Sequence, residues 1–422
     1  MLLLLPLWLY LIALFIAPQL WLGPFLNLRV DLFIYPLWLV WLAGRGRLGL
    51  VFAFRAQDWF ILGFITWVAL SLVANQTPAH TALVIQFYFK WFVLYRLTAA
   101  SIDSIDTLRK ATHAILVVVG VVAIEAIQHL HSPEGRGWAG QTHGWVNELA
   151  ATAGVKARTR WVGIFDGPGV FAVMFTIALP FALQYIAPVY GKFKRMLAVV
   201  VLLPLYGYAV FSTGSRGGFL ATIAVLGLWV LSRYKVKMKH LIMAGVVGSV
   251  GLMLAPAYLT STTDSNRSAQ HRVDMWGEGV EMVEHNPLFG IGRGNFARYT
   301  GKLIAHNSGI EVMGETGLVG LFLWVGASYM GFRTLLRRSR ETTDPREREL
   351  LLAVGLCLVG YLVSSLFVTL EYETLYFIWG LMAGVRNFTE AENPFTKRDA
   401  KIIGTIVVGY FVAVKGFVML YY

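Results

Sequence analysis

Residues 196–232 read MLAVVVLLPLYGYAVFSTGSRGGFLATIAVLGLWVLS. Two apolar runs, 196–212 and 217–232, flank a short polar seam. Each run approaches the ~20 residues that carry a helix across a bilayer. A seam this short returns the second helix antiparallel to the first. In lipid a helix satisfies its own backbone groups, so the pair reads as a membrane hairpin. One fixed charge, Arg216, stands at its tip among glycines and hydroxyls.

The rest of the chain repeats the pattern. It has 422 residues, 57% hydrophobic and 14% charged, where a soluble domain carries about a quarter charged residues. Apolar periodicity predicts helices at 3–22, 29–43, 57–74, 80–99, 111–129, 168–189, 196–212, 217–232, 240–259, 309–332, 349–369, 373–387 and 402–420. Two of these are short, which leaves 12 or 13 spans. The expected fold is all-α, a polytopic membrane helical bundle forming one integral domain over 1–422, without internal repeat. The first run lacks a basic start and a small-residue cleavage site, so it reads as a retained helix. The single cysteine, Cys357, permits no intrachain disulfide.

The net charge of +12 is a matter of topology. With a cytoplasmic N-terminus, the inner loops collect Arg45, Arg47, Arg55, Arg109, Lys110, Lys192, Lys194, Arg195 and Arg233, then Arg333, Arg337, Arg338, Lys397 and Arg398. That bias orients membrane helices, so the partner it implies is the membrane surface and not nucleic acid. Two long loops, 129–167 and 260–308, fall outside. Within the second, Val273, Trp276, Val280 and Val283 recur at helical spacing, which predicts an amphipathic helix over 268–286, ended by Pro287. It either lies on the membrane or caps the bundle.

The chemistry-bearing residues sit in these outer segments. The helix from Gly217 enters from outside, so its positive N-terminal end faces outward. Ser212, Thr213 and Ser215 add hydroxyls, and glycines 214, 217 and 218 leave room for a ligand at the backbone. With the Arg216 guanidinium this makes a phosphate site; the competing reading is an arginine that snorkels to lipid headgroups. In IAHNSGIEVMGETGLVG (304–320), Ser308 and Glu311 form a capping-box pattern, which places Ser308 at the N-cap of another inward-running helix. His306, just ahead of it, is expected to stay neutral and able to accept a proton. Asn307 is positioned to orient it. Glu315 either reaches the same face or is a buried, paired carboxyl group.

Arg272 and Arg160 come from the two long loops. Arginines converging from separate outer loops suit a diphosphate, although each alone reads as a solvated charge. GIGRGNF (290–296) has no preceding strand, so it reads as a turn approaching substrate and not as a dinucleotide loop. Trp138, Trp145 and Trp161 read as interfacial aromatics or as platforms for sugar rings. Lys90, Arg96 and Glu125 fall within spans, as structural pairs or cavity lining. The outer loops carry no H-E-x-x-H, cysteine cluster or paired-aspartate pattern, and no Walker loop occurs, so neither metal nor cofactor is expected.

FSTGSRGGFLA, the R-x-x-x-W of HRVDMW, NPLFGIGRGNF and AHNSGIEVMGETGLVG occur in that order. Together they resemble the O-antigen ligase and O-antigen polymerase family over roughly 211–322, and less closely at RWVGIFDGPGVFA. The resemblance implies a bacterial inner-membrane glycosyltransferase of the GT-C type. Its donor would be a glycan on undecaprenyl diphosphate, and its acceptor a hydroxyl of a glycan, of lipid A–core or of a protein. Transfer would occur on the periplasmic side without metal or nucleotide. It also implies that Arg216, Arg272 and His306, which match its motifs, are catalytic; the reading of the residues themselves adds Arg160, Ser215, Asn307 and Glu315 as substrate-binding candidates. The chain departs at Asp166, Gly167, Pro168 and Gly169, where relatives carry Asn-Pro-Asn.

A lipid-linked glycan transporter or flippase is the rival reading. It would attract the headgroup with arginines and need no base. The lack of repeated halves and the two large outer loops favour the enzyme. A structural membrane subunit, the third reading, makes the arginines incidental.

Overall fold

The computed structural model describes residues 4–75, 78–132, 137–139, 159–233, 262–301, 303–389 and 394–421. The expected helix 240–259, Trp145 and most of loop 129–167 lie outside them. The described chain is helical throughout, in the order α1 Leu5–Ile16, α2 Val30–Ala43, α3 Leu48–Phe52, α4 Ala56–Ala74, α5 Pro78–Ser101, α6 Ile105–His131, α7 Pro168–Ile186, α8 Lys192–Ser212, α9 Arg216–Arg233, α10 Thr262–His285, α11 Phe296–Tyr299, α12 Ser308–Glu341, α13 Pro345–Ser364, α14 Glu373–Gly384 and α15 Lys397–Tyr421. Among the described residues seven helices are long and apolar enough to cross a bilayer: α4, α6, α7, α8, α9, α12 and α15. The chain is an all-α, polytopic membrane protein.

Several helix ends differ from those read off the periodicity. The first run stops at Ile16 because Ala17 turns left-handed (φ 53°) and Pro18 follows. The freed carbonyls are met by Gln19 Nε2 on Ala13 and Trp21 Nε1 on Ile16, at 2.9 and 2.8 Å. α13 ends at Ser364, five residues short of the expected boundary, and the chain crosses to α14 through the turn 365–372.

Polar pairing separates the two ends of the bundle. At one end Asp58 is fully buried and pairs with both Arg96 and Arg386, while Tyr95 donates to it at 2.8 Å. Arg47–Asp103 and Arg333–Asp399 are at this end too. Arg96 is therefore a structural pair, as is Lys90, 3.4 Å from Asp31. The opposite end gathers the starts of α7, α9 and α12, the end of α13, and α10. There α10 caps the bundle: Val273, Met275, Val280, Met282 and Val283 are buried, and Trp276 Nε1 donates to the Ala305 carbonyl at 3.1 Å.

α12 is broken where the sequence reads as uninterrupted helix. Gly317 has φ 70° and ψ −176°, a region essentially reserved for glycine. The turn after α10 docks into the break: Ile291 N–H and Gly292 N–H donate to the carbonyls of Gly314 and Glu315 at 3.0 and 2.9 Å, and Leu318 N–H donates to Pro287 at 2.8 Å. From α4, Ser71 Oγ donates to Glu315 and Trp67 Nε1 to Thr316. Backbone groups inside a membrane protein need such partners. GIGRGNF is thus packed against α12 rather than turned towards a substrate. A Cβ at Gly317 would stand 2.2 Å from the Leu288 oxygen. Gly317→Ala is expected to cost at least about 1–3 kcal/mol from backbone strain alone, read as a lowered unfolding midpoint in detergent.

Candidate active site

The hairpin tip is built by its own hydroxyls. Ser212 and Thr213 are buried and donate to the Ala209 and Val210 carbonyls, each at 2.7 Å. Gly214 takes φ 60° to turn the chain. Ser215 Oγ accepts from Gly218 N–H at 3.1 Å, capping α9. Arg216, the first residue of α9, is exposed. The flanking glycines serve packing and not ligand access. A Cβ at Gly217 would lie 2.5 Å from Phe367 Cβ, and one at Gly218 would lie 2.3 Å from Ala172 Cβ.

A second helix start faces the same region. Asn307, and not Ser308, is the N-cap of α12: its Oδ1 accepts from Gly309 and Ile310 N–H at 3.0 and 3.3 Å, and from Tyr410 OH at 2.7 Å. Its side chain is therefore engaged by the helix and α15 rather than free to orient His306. Ser308 is stitched to the neighbouring turn, its N–H donating to Ser365 and its Oγ accepting from Leu370 N–H, at 2.8 and 2.7 Å. Glu311 Oε1 accepts from Ala305 N–H at 3.0 Å and Thr369 Oγ1 at 2.6 Å. Held from both sides, His306 adopts φ 50° and is exposed. Histidine tolerates that conformation better than most residues, and such strain persists only where the surroundings impose it.

The turn 365–370 joins the parts, a role the sequence did not disclose. Phe367 packs on Gly217 of α9, Val368 on Gly169 of α7, and Ser365 and Leu370 bond to Ser308 of α12. Three helix N-termini, each with its positive end, thus meet around one turn. Arg160 is brought alongside: Thr159 bonds Ser212 through backbone and hydroxyl, both at 3.1 Å, and Arg160 Nε lies 3.6 Å from Asp166 Oδ1.

The electrostatics tie the three leading candidates together. Burial lowers the Arg272 pKa, and the field of Arg216 lowers it further. Although its surface is open to solvent, the protein packed around one side of His306 partly desolvates the ring and lowers its pKa, with Arg272 adding to the effect. Arg216 therefore neighbours Arg272, and Arg272 neighbours His306. Among the described residues no carboxylate pairs with Arg272. The Arg272 charge favours the neutral, proton-accepting form of the adjacent imidazole.

Glu315 is placed elsewhere. It is buried, accepts Phe296 N–H at 2.8 Å and pairs with Arg293, whose other nitrogens reach Glu371 Oε2 at 2.5 Å and Tyr88 OH at 2.7 Å. Arg293 escaped the sequence reading because its glycine neighbours drew attention to the turn. Trp161 is also buried, bonding Phe15 and stacking on Phe171, so it offers no sugar platform. Trp138 stays exposed and donates from its backbone N–H to Glu125.

Comparison with known proteins falls on the same segment. A family model described as O-antigen ligase matches residues 197–325, which contain Arg216, Arg272, Arg293 and His306. An O-antigen ligase of Pseudomonas aeruginosa is 26% identical over 190 residues, 44% of this chain and 46% of that relative. The match therefore spans about half the length of the curated relative. Through this segment, with its two arginines and its histidine at one end of the bundle, the chain is similar to O-antigen ligases.

Proposed function

We propose that the protein transfers a glycan from undecaprenyl diphosphate to an acceptor hydroxyl at the periplasmic face of the bacterial inner membrane. The observation that carries this reading is the coupling of Arg216, Arg272 and His306 at the end where α7, α9 and α12 begin. The acceptor oxygen attacks the anomeric carbon, the bond from that carbon to the phosphate oxygen breaks, and the electron pair leaves with the diphosphate. Arg216 and Arg272, backed by the helix ends, hold the charge that grows on the departing diphosphate. His306 takes the proton of the attacking hydroxyl. Ser215 and Arg160 stand beside Arg216 to contact the phosphate or the first sugar. Asn307 and Glu315 support the site from behind, one by capping α12 and the other by holding Arg293.

The basic residues at the opposite end of the bundle support an orientation with that end cytoplasmic and the site outside. Purified protein given a lipid-diphosphate glycan and an acceptor is expected to release undecaprenyl diphosphate. Arg216→Gln should lower that release by about 10²-fold, the loss typical when one donor to a developing anion is removed. Arg216→Lys should recover only part, since an ammonium lacks the planar fork. Lipid movement across vesicles with no product release by the wild type would favour the transporter reading and defeat this one.

A further inference from the structure

At the end of the bundle away from the candidate site lies a cavity of about 390 Å³ between the starts of α6, α8 and α13 and the end of α7. Its cations are Arg109, Lys194 and Arg346, and two tyrosines, Tyr185 and Tyr190, form part of its lining. Lys194 Nζ stands 5.8 and 5.9 Å from the two tyrosine rings. Tyr185 is fixed in turn by His113, which bonds its hydroxyl and stacks on its ring.

The nearby acids each have partners of their own. Glu349 forms a two-pronged pair with Arg233, and Asp344 caps α13 by accepting from Arg346 N–H at 2.8 Å. Asp106 is bonded to Lys110 and lies 3.9 Å from Arg109. Among the described residues no carboxylate lies within 4.0 Å of Lys194 or Arg346. A concave site of this size with an excess of fixed cations suits an anion.

The depth of the cavity indicates where that anion comes from. α8 runs from Lys192 to Ser212 and α13 from Pro345 to Ser364, so both connect the cavity to the candidate site. At 1.5 Å per residue each spans roughly 30 Å, the thickness of the hydrocarbon core. The cavity therefore sits at headgroup level in the far leaflet. Phe193, which forms part of the lining, and Met196 are exposed, at 71% and 59%, as side chains facing acyl chains would be.

We infer that this cavity binds the phosphate of an anionic membrane lipid, with Arg109, Lys194 and Arg346 around the phosphate and the acyl chains passing over Phe193. The full chain in detergent, titrated with phosphatidylglycerol or phosphatidylcholine and read by native mass spectrometry, tests it. Phosphatidylglycerol is expected to bind at least roughly 10-fold more tightly, and Arg109→Gln with Lys194→Gln to remove that preference. Gly191→Trp provides a second variant. Gly191 lines the cavity and has φ −63° with open space where its Cβ would stand, so a side chain is tolerated there and the indole is intended to occupy the cavity while no charge is removed. Its loss of phosphatidylglycerol binding separates a built site from diffuse surface charge. Undiminished binding in both variants overturns the inference. Displacement of the lipid by millimolar inorganic phosphate also overturns it, by assigning the cavity to a soluble anion.

Discussion

His306→Ala is expected to lower glycan transfer by about 10²–10⁴-fold, the usual contribution of a positioned general base. The fold should survive, because the residue is exposed and its backbone is held by Ala305, Asn307 and Ser308. The pH profile supplies the sharper measurement. Partial desolvation and the Arg272 charge both lower the imidazole pKa, so the neutral base persists to pH values below the ordinary ~6.5. Activity should stay level as pH falls towards that value and decline only beneath it. Removing the neighbouring charge in Arg272→Gln relieves one of the two causes, so the acid limb of its residual activity moves up. A limb that stays in place would separate the histidine from Arg272 and undo the proposed arrangement.

Arg293→Leu should be the most destabilising single change among the charged residues at this end. Arg293 pairs with Glu315 and Glu371, which are both buried, and donates to Tyr88 OH. Removing one member of a buried ion pair leaves an uncompensated charge and costs about 3–5 kcal/mol. Thermal unfolding in detergent, followed by tryptophan fluorescence, would register the loss. The triple change that also makes Glu315→Gln and Glu371→Gln should regain much of it, because no carboxylate is then left unpaired. A single variant as stable as the wild type would show that the network is incidental.

The membrane helices were legible because apolar run length is a strong signal, as 196–212 and 217–232 show. Their breaks were less so. MGETGLVG has the composition of a helix, and only the tertiary fit of Pro287 and Leu288 against Gly317 reveals why the helix must open there. Ser308 and Glu311 matched a capping box by spacing, yet Asn307 took the cap and released Ser308 to bond the turn 365–370. Arg216, Arg272 and His306 were legible as candidates because each carries charge or a titratable ring on an outer segment. Arg293 and the turn 365–370 were not, since their roles depend on residues distant in sequence.

The opening in α12 makes its first turns, from Ser308 to Thr316, a separate plug carrying the histidine at its mouth. That plug is clasped by Trp67 and Ser71 from the first hundred residues, by Ser365 and Leu370, and by Tyr410 near the end of the chain. All of these lie beyond 197–325. The segment that carries the family likeness is consequently not a transplantable module: excised or grafted onto another bundle, it would lose the clasp that sets the imidazole beside the arginines.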